Sequence, residues 1–249
     1  MSARVDDRHD TSSAPTPVDL WTIRLDDESF PARDMDWVLD ATEHTRASSF
    51  VFDRDRRRFV RRRVALRVLL SRYCGVSPDR LEFGKGDNGK PYLAIPGDTS
   101  ITFSASHAHE LALVAVSHGC DVGVDIEWSG RTVEWVAISG MFARDERARL
   151  RELSGSSLHL AGLRCWTRKE AFVKGRGDGL SLPLDLFTVS VDANENARHV
   201  QVAPEIDDGF CWALTDIDVP PDYVASLATT FGVPPIRLYD ATTLRSLRS

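Results

Sequence analysis

The chain has 249 residues, 42% apolar and 27% charged, with a net charge of −6; this mixture excludes a fibrous or wholly disordered chain and suits one large domain or two small ones. No run approaches the roughly eighteen consecutive apolar residues of a membrane span, and the opening MSARVDDRHDTSSAPTP lacks the apolar stretch of a secretory signal, so a cytoplasmic protein with no membrane partner is expected. The acidic total argues against general nucleic-acid binding, although nine arginines between positions 54 and 72 make a local anionic partner a reasonable expectation.

Residues 1–18 are rich in Ser, Thr, Pro and Asp without apolar periodicity and read as a flexible tail. Alternation in VDLWTIRL predicts a strand over 18–25. Across 50–73, Phe59, Val60, Val64, Leu66, Val68 and Leu70 recur at helical spacing with arginines between them, which predicts a long amphipathic helix. LEFGKGDNGKPYLAI, with Asp87, Asn88 and Gly89 at its middle, predicts a hairpin. ITFSAS, LALVAVS and VGVDIEW read as further strands, 144–153 and 158–174 as helices, the second stopped by glycines, and LFTVSV, FCWALTDI and YVASLATT as a β-rich close. The order of a helix followed by a strand pair occurs twice, at 54–117 and 158–230, which points to two similar α+β halves. Cys74, Cys120, Cys165 and Cys211 are widely spaced among apolar residues and are expected to be reduced core residues.

In VGVDIEW, alternation places Gly123, Asp125 and Glu127 on one face and Val122, Val124 and Ile126 on the other. Two carboxylates pointing the same way repel each other and suit a hard divalent cation; a merely solvated strand face is the alternative that spacing leaves open. In RCWTRKEAFVKGRGDGLSLPL, Glu170 and Lys174 lie one helical turn apart with Lys169 beside them, either a phosphate-handling cluster or an ordinary surface pair. Residues 84–90 match the first part of a phosphate-binding P-loop, but Pro91 replaces the Ser or Thr hydroxyl and no long helix follows. His107 and His109 lack further ligands at zinc spacing, and no GxSxG, HExxH or GxGxxG occurs.

Taken in order, GKP at 89–91, SASH at 104–107, GVDIE at 123–127 and WTRKEAFVKGRGDGLSLPLD at 166–185 resemble the Sfp-type 4′-phosphopantetheinyl transferases over about residues 50–230. The resemblance implies an α+β pseudo-dimer of two similar α/β halves, with the active site between them. The expected division is a tail at 1–18, an N-terminal half at 19–120, a C-terminal half carrying the metal site at 121–230, and an appendage at 231–249. It further implies a monomeric enzyme that moves the phosphopantetheine arm of coenzyme A to a serine of an apo acyl or peptidyl carrier protein. The second product is adenosine 3′,5′-bisphosphate, and the setting is polyketide or nonribosomal peptide synthesis.

By position, the resemblance assigns Mg²⁺, or Mn²⁺ in its place, to Asp125, Glu127 and Glu170, with Lys174 on the pyrophosphate and Lys169 beside it. Arg58, or alternatively Arg46, takes the ribose 3′-phosphate, and Lys90, Ser106 and His107 make further coenzyme A contacts. Glu170 is the expected proton acceptor, with Asp125 and Lys174 the other catalytic groups. The chain departs from the family pattern at Ala105 and at Asp178, the latter putting a phosphate role for its loop in doubt. The rival expectations are a Mg²⁺-dependent phosphoesterase, a non-catalytic coenzyme A or carrier binder of the same fold, and an arginine-rich nucleic-acid module.

Overall fold

The computed structural model describes residues 17–244 except 28–29, 31, 33–34, 95–99 and 194–199, so most of the expected N-terminal tail lies outside the described residues. The elements follow as β1 (Val18–Arg24), α1 (Ala41–Ser48), α2 (Asp53–Cys74), the hairpin β2 (Phe83–Lys85) and β3 (Pro91–Leu93), β4 (Ile101–Ala108), β5 (Leu111–His118) and β6 (Val122–Trp128). The single turn α3 (Trp135–Ile138), α4 (Arg144–Arg151), α5 (Gly155–Arg176), the short β7 (Phe187–Thr188) and β8 (Gln201–Val202), β9 (Trp212–Asp216), β10 (Tyr223–Thr230) and β11 (Ile236–Asp240) complete the chain. Helix α1 was not anticipated; it is too short to show periodicity, and a capping box between Asp40 and Glu43 starts it.

The two larger sheets among the described residues are ordered β11-β1-β5-β4 and β6-β10-β9, each served by one helix of 22 residues, and β2-β3 and β7-β8 form two-stranded ladders. Helix α2 buries Val64, Ala65, Val68, Leu69 and Leu70 in the first core, and α5 buries Cys165, Ala171, Phe172 and Val173 in the second. Both helices end on a left-handed glycine, Gly75 and Gly177. The doubled architecture expected from the order of elements is thus present. A third apolar cluster, with Leu111, Leu113, Val122, Val124, Ile126 and Leu227, joins the halves.

β4 and β6 lie side by side at the seam, where serine hydroxyls bridge them: Ser104 Oγ accepts from the Val124 amide at 3.0 Å, and Ser106 Oγ donates to Asp125 Oδ1 at 2.7 Å. The seam therefore carries polar groups into an otherwise apolar junction.

Two expectations require correction. The segment read as a C-terminal appendage returns to the N-terminal half: β11 pairs in parallel with β1, Tyr239 stacks on Trp21 at 4.6 Å, and Leu244 is 2% exposed within the first core. Apolar residues at long sequence separation close that core, a contact local periodicity does not encode. Leu244→Ala should accordingly lower unfolding free energy by about 2–4 kcal/mol in urea titrations. Cys211, expected in the core, is exposed, whereas Cys120 and Cys165 are buried; none of the four cysteines forms a disulfide.

Candidate active site

The site grows from β6. Val122, Val124 and Ile126 anchor the strand in the joining core, which turns Asp125 and Glu127 toward α5. Close approach of that helix depends on Gly123: a Cβ there would stand 2.0 Å from the Ala171 carbonyl oxygen and 2.2 Å from the Gly175 amide nitrogen. With no side chain in the way, α5 lies against the strand and brings Glu170 and Lys174 to the carboxylates.

Asp125 is 4% exposed. Its Oδ1 accepts from Lys174 Nζ at 2.6 Å and from Ser106 Oγ, and Lys174 Nζ also lies 3.0 Å from Ser106 Oγ. Its Oδ2 is buried with no hydrogen-bond partner among the described residues. Burial pushes the Asp125 carboxyl above its usual range against the pull of Lys174, and the Glu127 charge adds to the rise. The Glu170 carboxyl is raised by burial first and then by the charges of Asp125 and Glu127, with Lys174 opposing. Three carboxylates therefore share one field.

The fit to a divalent cation rests on two features, the orphaned Asp125 Oδ2 and the mutual repulsion that raises Glu170. Among the described residues no three acidic, His or Cys side chains are already drawn into a closed ligand set. The acids are instead held by their own cations, Lys174 on Asp125 and Arg131 on Glu127, Nη1 to Oε2 at 2.6 Å.

Beside the acids opens a cavity of about 410 Å³ between the halves, walled by Arg62 and Arg63 of α2, Asn88–Pro91 of the hairpin, Ser106 and His107 of β4, and Glu170 and Lys174 of α5. Arg63 is neutralised by Glu43. Lys90 reaches across the seam, donating to the Gly175 carbonyl at 2.5 Å with Asp121 at 3.6 Å, and burial lowers its pKa. Arg62 Nη1 lies 2.6 Å from His107 Nε2, and no carboxylate is recorded in ion-pair contact with Arg62 among the described residues.

His107 is held near pKa 4 by burial, then by the charges of Arg62 and Lys174. The unfolded chain, with an ordinary His pKa near 6.5, takes up the proton first as pH falls. Stability tied to His107 is thus intact above about pH 6.5 and drains away between that value and about pH 4. Urea unfolding of the wild type and of His107→Gln at pH 7.5 and 5 should show the smaller pH loss in the variant.

The expected site residues divide accordingly. Asp125, Glu127, Glu170 and Lys174 form the acidic cluster, and Lys90, Ser106 and His107 stand around the cavity. Arg58 does not line it: its Nε donates to Asp26 Oδ1 at 2.8 Å and the side chain is 13% exposed. Arg46 does not line it either, lying exposed on α1 over the Phe50 ring at 5.3 Å.

Lys169 requires outright correction. It points away from the cavity into the C-terminal core at 0% exposure, with its Nζ 2.8 Å from Glu146 Oε2 and donating to the carbonyls of Leu184 and Phe187 at 2.7 and 2.8 Å. The reason is helical geometry: Lys169 is about 100° around from Glu170, so a helix presenting Glu170 to β6 turns Lys169 toward α4 and the 184–187 segment. Asp178 binds Arg176 Nε at 2.6 Å and so carries its own cation.

Sequence reasoning missed Arg62 and Arg131. Arg62 stands one turn after Arg58 on the same face of α2, a signal present in the spacing but submerged among nine arginines.

The profile of the 4′-phosphopantetheinyl transferase superfamily matches residues 121–228, and that of the 4′-phosphopantetheinyl transferase N-terminal region matches 33–119, so the two meet where β5 passes into β6. The 4′-phosphopantetheinyl transferase HetI of a Nostoc species is 32% identical over 221 residues, 88% of this chain and 90% of the relative. The 4′-phosphopantetheinyl transferase Sfp of Bacillus subtilis is 29% identical over 203 residues, 76% of this chain and 86% of the relative. With a seam-borne acidic cluster, two matching halves and relatives spanning most of its length, the chain belongs to the 4′-phosphopantetheinyl transferase superfamily and is a transferase.

Proposed function

We propose that the chain transfers the 4′-phosphopantetheine arm of coenzyme A to a serine hydroxyl of an apo acyl or peptidyl carrier protein and releases adenosine 3′,5′-bisphosphate. The observation that carries this reading is the junction at Asp125: three carboxylates, one with a bare buried oxygen, adjoin a cavity whose other charged walls are cationic. That arrangement suits a polyphosphate ligand with one reacting phosphorus at the acidic end.

Asp125, Glu127 and Glu170 are the residues that would hold Mg²⁺ or Mn²⁺, which when bound supplies charge neutralisation at the pyrophosphate. Lys174, fixed by Asp125 and Ser106, presents its ammonium to the same phosphates. The carrier serine oxygen forms the new bond to the β-phosphorus, and the bond from that phosphorus to the bridging oxygen breaks. The bridging oxygen leaves with the adenosine product. The serine proton passes to Glu170, whose carboxyl is pushed above its usual range by burial and by the charges of Asp125 and Glu127, which strengthens it as a base. Lys90 and His107 contribute to holding the nucleotide part, and the protein acts as a cytoplasmic monomer.

The test incubates the protein with Mg²⁺, coenzyme A and an apo carrier protein and weighs the carrier by mass spectrometry. A gain of one phosphopantetheine on the serine is expected. Coenzyme A cleavage with an unmodified carrier would replace this reading with a phosphoesterase.

A further inference from the structure

We infer that Lys169, paired with Glu146, is a positioning residue for the transfer: it fixes residues 182–187 against α5 and so sets the apolar wall that stands beside Glu170. The inference rests on the proposed transfer, in which Glu170 accepts the serine proton, and adds to it a residue that touches no substrate atom.

The Lys169 ammonium has three protons to place, and the fold gives each an acceptor. Its Nζ lies 2.8 Å from Glu146 Oε2 and donates to the carbonyls of Leu184 at 2.7 Å and Phe187 at 2.8 Å. The Phe187 and Phe142 rings flank it, with centroids 4.1 and 5.5 Å away. Glu146 is as fully engaged: Oε2 accepts from the Ala143 amide at 2.9 Å, where α4 starts, and Oε1 accepts from the Val189 amide at 2.7 Å. The two side chains are 0% and 1% exposed. One ion pair thus joins α4, α5 and the chain from Leu184 to Val189 by bonds of fixed direction.

Stability alone is a poor reason to bury such a pair, because apolar side chains of similar volume commonly do as well or better. Direction is what they lack. Residues 182–187 have little regular structure of their own: the Leu186 amide donates to the Pro183 carbonyl at 3.3 Å, and the two-residue strand β7 begins only at Phe187. The carbonyls that Lys169 holds stand within this stretch and at its end. A second cavity, of about 360 Å³, opens here, walled by Trp166, Glu170 and Val173 of α5 and by Leu182, Pro183 and Leu184. Glu170 lines both this cavity and the cationic one, whereas residues 182–185 line the second and not the first. Release of the segment therefore changes the space beside Glu170 and leaves the cationic walls in place.

Two variants test this on the full chain, Lys169→Met and Lys169→Met combined with Glu146→Gln. The second removes both charges, so no unpaired buried carboxylate remains, and it should regain most of the thermal midpoint that the first loses. In the folded double variant, kcat for carrier modification should still be down about tenfold or more, because the reacting groups are less well aligned. Affinity for adenosine 3′,5′-bisphosphate in Mg²⁺, read by calorimetry, should stay within about threefold, since no contact in the cationic cavity is removed. Amide hydrogen exchange over residues 182–187 should quicken at least about tenfold, with that of β6 unchanged.

Recovery of kcat together with the thermal midpoint in the double variant would show a pair that serves stability alone. Unchanged exchange over 182–187, or a bisphosphate affinity that falls as far as kcat, would show that Lys169 does not act through this segment. Each of these results overturns the inference and leaves the transfer reading intact. A wild type that leaves the carrier unmodified would overturn that reading, and the inference with it.

Discussion

Asp125→Asn should reduce carrier modification at least a hundredfold while the protein remains folded. The exchange keeps the shape of the side chain and an acceptor for Lys174 and Ser106, but it removes the one fully buried negative charge of the acidic cluster. In the wild type burial pushes the Asp125 carboxyl above its usual range and the Lys174 ammonium opposes that rise, while Asp125 Oδ2 has no hydrogen-bond partner among the described residues. Stability should change by less than about 2 kcal/mol, because relief of a desolvated charge offsets the loss of an ion pair whose lysine is 32% exposed. Comparing kcat/KM with apo carrier against the thermal midpoint of each protein checks both statements. Activity within tenfold of wild type would move the cation away from Asp125.

Gly123→Ala should be strongly damaging. The added Cβ meets backbone, not the flexible end of a side chain, at 2.0 Å from the Ala171 carbonyl oxygen, so α5 has to shift off β6. The same helix turn hydrogen-bonds across the seam through the Gly175 carbonyl to Lys90 and packs Gly175 against Trp212. A loss of about 3 kcal/mol or more is expected in denaturant titrations, at the upper end for an overpacked interior. Glu170 and Lys174 ride on the displaced helix, so transfer should fall even under conditions where the variant is fully folded. An activity loss no larger than the unfolded fraction would show that the site tolerates the shift.

The two variants act on different levels of one arrangement. Asp125→Asn changes the charge at the seam and leaves the helix in place, whereas Gly123→Ala leaves every charge and moves the helix that carries two of them. Glycine at position 123 is required by a close approach of backbone to backbone, a requirement no periodicity of hydrophobic residues expresses.

Much of the site was legible in the sequence because it is built from local periodicities. Alternation along 122–128 put Asp125 and Glu127 on one face, and the 3.6-residue repeat put Glu170 and Lys174 on one helix stripe. The two 22-residue helices and most strands followed from the same signals. Helix α1 and the return of β11 to β1 did not, the first because eight residues are too few to show a repeat, the second because strand pairing over more than two hundred residues leaves no local trace.

By itself, then, the sequence determined which residue types could do phosphate and cation chemistry, and that they fall on matching faces of a strand and a helix. Only the tertiary structure decided which cations are already taken. Lys169 is claimed by Glu146, Arg58 by Asp26 and Arg63 by Glu43, each carboxylate arriving from another segment, while among the described residues Arg62 meets the His107 ring and the Phe59 face. A charge is available to a ligand when the fold leaves it without a partner, and partnership between distant segments is set by packing.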